Sequence, residues 1–139
     1  MRRPRRFVFL DRWTAVREHD RGSTSIQMVL LMPALFAVMF LGMQAALLYH
    51  ARTVALAAAQ EGVRTAAGLG GSGAAGAQDA YAFVTAAGGD DVLKAPRARS
   101  SRSTTTATLT VTGRSLSVIP GWTPTVTQSA SAPVERITQ

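Results

Sequence analysis

The sequence predicts an α+β fold: a long N-terminal transmembrane helix extended outside the membrane, followed by a short helix and a small antiparallel β-sheet. Three observations predict it. Residues 26–49 carry no charge, residues 51–67 are dominated by Ala with no Pro, and after Asp90 the apolar period changes from helical to alternating. At 139 residues the chain has room for one domain at most, and the apolar stretch takes up much of it, so the soluble part is small.

The first element is a basic leader, residues 1–22, with seven Arg against three acidic residues. The formal charge of the whole chain is +7, and fourteen of its fifteen basic residues are Arg. Abundant Ala, Gly and Thr accompany that Arg bias, as in a genome rich in G and C. Basicity is therefore weak evidence for a nucleic-acid partner, and none is expected.

Next comes IQMVLLMPALFAVMFLGMQAALLY, residues 26–49, in which only Gln27 and Gln44 are strongly polar. As a helix it measures about 36 Å, enough to cross a hydrocarbon core of about 30 Å. A buried helix of a soluble protein would need a protein shell all round it, which so small and polar a remainder cannot supply. The lipid bilayer is thus the first expected partner. Pro33 removes one backbone donor inside the run, a defect that membrane helices tolerate. Gly42 leaves a gap through which a partner helix can approach, so Pro33 and Gly42 are the candidate helix-packing positions.

The twenty residues after Tyr49 carry only Arg52, Arg64 and Glu61. The positive-inside rule then places the N-terminus in the cytoplasm and everything after Tyr49 outside, a single-pass protein of the cytoplasmic membrane. A secretory signal peptide competes, because Ala57, Ala58 and Ala59 offer small residues beyond the run. Its apolar region would exceed the usual length of roughly 7 to 15 residues. Arg5 and Arg6 lie too far upstream to serve as a twin-arginine signal.

Helical character continues through ARTVALAAAQEGVRTAA, residues 51–67, where Val54 and Ala58 share a stripe that can pack on the outer domain. Glu61 and Arg64 form a surface pair three residues apart. GLGGSGAAG, residues 68–76, is a Gly-rich link. It lacks the Lys-Ser/Thr ending and the preceding strand of a phosphate loop. AQDAYAFVTAA, residues 77–87, forms the short helix, with Tyr81 and Val84 on one side and Gly88 and Gly89 ending it.

TTTATLTVTG, residues 104–113, alternates apolar residues with Thr, as a half-buried strand does. Gly113 and Arg114 turn the chain into RSLSVI, a second strand, and Pro120 and Gly121 mark another turn. Residues 123–137 alternate again, and residues 91–95 are a candidate fourth strand. PRARSSR, residues 96–102, is a basic cluster without aromatic companions and reads as a solvated loop. The organisation expected is a leader over 1–22, a transmembrane helix over 23–49, its extension over 50–67, the link over 68–76 and an extracytoplasmic α+β domain over 77–139.

The chain has no Cys, so disulfides and thiolate metal sites are excluded, and His19 and His50 form no ligand cluster. No paired carboxylates or nucleophile and base are arranged for chemistry. The expectation is a protein that is not an enzyme, with no cofactor, no metal and no small-molecule substrate.

Three sections together resemble the TadE-like family of minor pseudopilins of tight-adherence pilus systems, in its actinobacterial form. They are RGSTSIQMVLLMPALFAVMFLGMQ at 21–44, YHARTVALAAAQEGVRTAA at 49–67, and the strand region ending in SAPVERI at 131–137. The resemblance implies a pilin-like fold and a processing junction of Gly22, Ser23 and Gln27. A membrane-embedded prepilin peptidase would cut between Gly22 and Ser23 from the cytoplasmic side, removing the leader and keeping the helix. It further implies partners among other pseudopilins and inner-membrane pilus-assembly proteins. The family usually has Glu where this chain has Gln27, and a carboxylate there would pair with a neighbouring subunit's N-terminal ammonium in lipid. Gln cannot neutralise that charge, which bears on both filament incorporation and processing. Two functions follow as alternatives: a TadE-like pilus component, or a stand-alone membrane-anchored adhesion or scaffold protein.

Overall fold

The computed structural model describes residues 19–136, with side chains from Ser25 onward. Helix α1 spans His19–Ala67 and helix α2 spans Gly73–Ala86. A 3-10 turn at Gly89–Asp91 leads into strands β1 (Leu93–Arg102), β2 (Thr106–Ser115) and β3 (Thr125–Pro133). The strands form one antiparallel sheet in the order β1-β2-β3. This is the α+β class expected from the sequence. The chain divides into two units between Met39 and Phe40. In the first, α1 is helical through Pro33.

The second unit is built on α1 from Phe40 to Ala67. Its buried positions, Ala51, Val54, Ala55, Ala58, Ala59, Val63, Ala66 and Ala67, recur every three or four residues. Nearly all are Ala, and small side chains bring the helix axis close to what packs on it. The closest approach is at Gly62, where a Cβ would run into the carbonyl oxygen of Gly76 in α2 and lie 2.7 Å from Leu109 Cδ1 in β2. α1, α2 and the sheet therefore meet at a point that leaves no room for a side chain.

β2 is the central strand, and its alternation is the one the sequence shows. Ala107, Leu109 and Val111 are buried in the core, with Leu93 from β1 and Val126 from β3. Each large apolar side chain so buried stabilises the fold by about 1.5–3 kcal/mol. On the opposite face the hydroxyls pair across the strands: Thr108 with Ser131 at 2.8 Å, Thr110 with Ser129 at 3.1 Å and Thr112 with Thr127 at 3.3 Å.

Several element boundaries differ from the sequence reading. α2 starts at Gly73, four residues before Ala77, because Ser72 caps it: its hydroxyl accepts the Ala75 N–H at 3.1 Å. Residues 96–102, expected as a solvated loop, belong to β1. Pro96 is accommodated at an edge-strand irregularity between Lys94 and Arg97, where Ala95 adopts φ +48°. Gly113 and Arg114 continue β2 instead of turning. Leu93 fills the space beside Gly113, where a Cβ would lie 2.5 Å from its Cγ. Residues 116–119, expected as a strand, are a loop.

The C-terminal end of α1 is closed by one local and two distant partners. Gly68 N–H donates to Arg64 O at 3.1 Å, Glu135 N–H to Ala67 O at 2.9 Å, and the Arg102 guanidinium to Ala66 O at 2.6 Å and to Gly71 O. These bonds satisfy carbonyls that a helix end leaves unpaired.

Candidate functional site

From Ser25 to Met43 every residue of α1 is exposed. The large apolar side chains include Met28, Val29, Leu30, Leu31 and Met32 in unbroken succession, with Leu35, Phe36, Val38, Met39, Phe40 and Leu41 beyond them. Consecutive helical residues are about 100° apart, so this sequence covers the whole circumference of the helix. A helix apolar all round is a membrane-crossing helix or the centre of a large core. None of the apolar window is buried, and Ser25–Ala67 is long and apolar enough to cross a membrane. The helix is therefore a candidate single membrane span.

The sequence-predicted residues fall along this one helix and form no cleft. Gly22 and Ser23 lie in the backbone of α1. Gln27 is exposed one turn later, and Pro33 is exposed inside the helix. Around Gly42 a Cβ would meet nothing within 4 Å, so that side of the helix is open. Glu61 and Arg64 form the expected surface pair, 3.4 Å apart.

The unbroken exposure is first interrupted at Gln44, which is 4% exposed, although Ala45, Ala46, Tyr49 and His50 beyond it are exposed again. Its Oε1 accepts the Val118 N–H at 2.9 Å and the Ser117 hydroxyl at 3.0 Å, and its Nε2 donates to Leu116 O at 3.4 Å. Both ends of the amide are thus used, and the loop between β2 and β3 is fastened to α1 inside the apolar run, one residue beyond its fully exposed stretch. The sequence marks Gln44 only as a polar interruption. Its partners are more than seventy residues away, in a stretch whose alternation imitates a strand.

The segment that holds the candidate span also carries the family likeness. Residues 22–64 match the TadE-like protein family. That segment is TadE-like. No curated protein and no solved structure matches it. The TadE-like segment begins at Gly22 and ends at Arg64, taking in Gln27, Pro33, Gly42 and Gln44, whereas α2 and the three strands lie outside it.

Proposed function

We propose that this TadE-like protein is a pseudopilin, a structural or assembly component of a tight-adherence pilus, anchored in the cytoplasmic membrane by α1. The observation that carries the reading is the coincidence of the TadE-like segment with an apolar helix exposed on all sides. The seven Arg of residues 1–22 support a cytoplasmic N-terminus and an outward sheet domain. The role is one of assembly and display, without catalysis. Its partners are a prepilin peptidase, other pseudopilins and inner-membrane assembly proteins.

The peptidase cuts between Gly22 and Ser23. Those residues belong to α1, so the helix has to open there before an extended backbone can enter an active site, and Gly resists that opening least. N-terminal sequencing of the membrane-extracted protein is expected to begin at Ser23. A start at Met1 removes the processing step. Co-purification of a tagged copy with a pilus-assembly ATPase or platform protein tests the assembly role.

Gln27 favours a second reading, a membrane-anchored adhesion or scaffold protein outside any pilus, because an amide cannot balance a neighbouring subunit's ammonium. In that case the tagged copy brings down no assembly component.

A further inference from the structure

The loop between β2 and β3 combines exposed apolar residues with a fixed position. Residues 119–122 form a turn closed by the Trp122 N–H to Ile119 O bond at 3.2 Å. Pro120 and Gly121, the latter at φ +77°, occupy its two central places, the pairing that a type II turn favours. Ser117 holds the turn from inside, its hydroxyl accepting the Ile119 N–H at 3.0 Å and lying 3.1 Å from Ile119 O, which competes with Gln44 for its one proton. The same Ser117 is bonded to Gln44. At the tip Ile119 is 37% and Trp122 47% exposed.

The direction of β2 fixes which end of the sheet this loop occupies. Leu109 packs at Gly62 of α1, and Leu116 bonds to Gln44, eighteen residues earlier on the helix (62 minus 44). β2 therefore runs back along about 27 Å of α1, toward its apolar end. The chain beyond Leu116 emerges beside the turn of helix that holds the exposed Phe40, Leu41 and Met43. At this end, too, Lys94 and Arg114 are register partners, both exposed. Like charges directly opposite each other are unfavourable unless an anion lies over them. The nearby Asp90 carboxylate accepts the Ala95 N–H at 3.3 Å.

We propose that this loop is a second membrane contact, in which Ile119 and Trp122 enter the interfacial layer of the bilayer and Lys94 and Arg114 meet its phosphates. The inference rests on the reading of α1 as a membrane span. Trp is favoured at the headgroup level, where its ring is half in hydrocarbon and its N–H finds water or phosphate. Because Gln44 and Ser117 already order the turn, insertion needs little further loss of freedom. The contact fixes the sheet domain against the membrane surface.

Tryptophan fluorescence of the full chain in phosphatidylcholine and phosphatidylglycerol vesicles tests this. Trp13→Phe leaves Trp122 as the single tryptophan, excited selectively at wavelengths that Tyr49 and Tyr81 do not absorb. Its emission is expected to shift to the blue and to lose most of its intensity when the lipids are brominated near the top of the acyl chain. A second protein, Phe36→Trp with Trp13→Phe and Trp122→Phe, reports the span itself and is expected to respond most to bromines near the bilayer centre. If the position-36 probe is quenched while Trp122 stays red and open to aqueous iodide, the inference falls and the span stands. A blue-shifted Trp122 untouched by brominated lipid is covered by protein, which also overturns the inference. An unquenched position-36 probe overturns the span and the loop contact with it.

Discussion

Two stretches of α1, residues 25–43 and residues 44–67, belong to one helix and handle apolar surface in opposite ways. The first carries large side chains on all sides and buries none, with Leu35 63% exposed. The second carries Ala and Gly along one stripe and buries it completely, with Ala51, Ala55 and Ala58 at 0%. Side-chain size follows the surroundings in each case. On the proposed reading of α1 as a membrane span, fluid lipid accommodates bulky residues on every side, whereas a sheet and a second helix pack closely on one face only where that face is small.

The largest expected effect sets one stretch against the other. Leu109→Ala empties the site where β2 packs on α1 at Gly62, and it is expected to lower stability by about 2–5 kcal/mol. The same truncation at the exposed Leu35 is expected to change it by less than about 0.5 kcal/mol. Thermal unfolding of the detergent-solubilised protein, followed by circular dichroism, measures both. Equal losses would mean that Leu35 is packed against protein, and the contrast between the stretches would disappear.

A smaller effect is expected at the boundary itself. Gln44→Ala removes the acceptor of the Val118 N–H and the Ser117 hydroxyl and leaves Leu116 O with the Ser115 hydroxyl as its donor, a loss of about 1–3 kcal/mol. Hydrogen exchange at the Val118 amide should accelerate far more than exchange in β1 and β2. Uniform acceleration throughout the sheet would show that Gln44 supports the whole domain instead of fastening one loop.

How legible each part was in the sequence follows from where its determinants lie. The apolar run, the Ala-rich extension and the Thr alternation of β2 were readable because each is a local period. β1 was hidden because its Arg residues and Pro96 resemble loop chemistry, and an edge strand tolerates both. Residues 116–119 misled in the other direction: Leu116 and Val118 alternate with Ser as in a strand, yet their polar backbone groups go to Gln44. The start of α2 was masked by Gly76, where the α1 crossing leaves no space for a Cβ, and by Gly73, where a Cβ would lie 3.0 Å from Ser100 Oγ in β1. Of the candidate site, the exposed apolar helix was visible in the sequence. The Gln44 fastening was invisible, since a contact across more than seventy residues leaves no local pattern.

The smallest expected effect probes the irregular start of β1. Ala95 adopts φ +48°, a left-handed conformation that disfavours an L side chain by roughly 1–2 kcal/mol. It is held there by the Asp90 carboxylate accepting its N–H and by the register change that accommodates Pro96. Ala95→Gly relieves that strain but adds freedom to the unfolded chain, which opposes the gain by roughly 0.5–1 kcal/mol. The net expectation is a stabilisation of about 0.5 kcal/mol, opposite in sign to most Ala→Gly substitutions. Ala98→Gly, in the regular part of β1, supplies the control and is expected to destabilise. Loss of stability at both positions would show that the left-handed residue is absent in solution. β1 would then begin without its irregularity, and Lys94 and Arg114 would lose the register that sets them opposite each other.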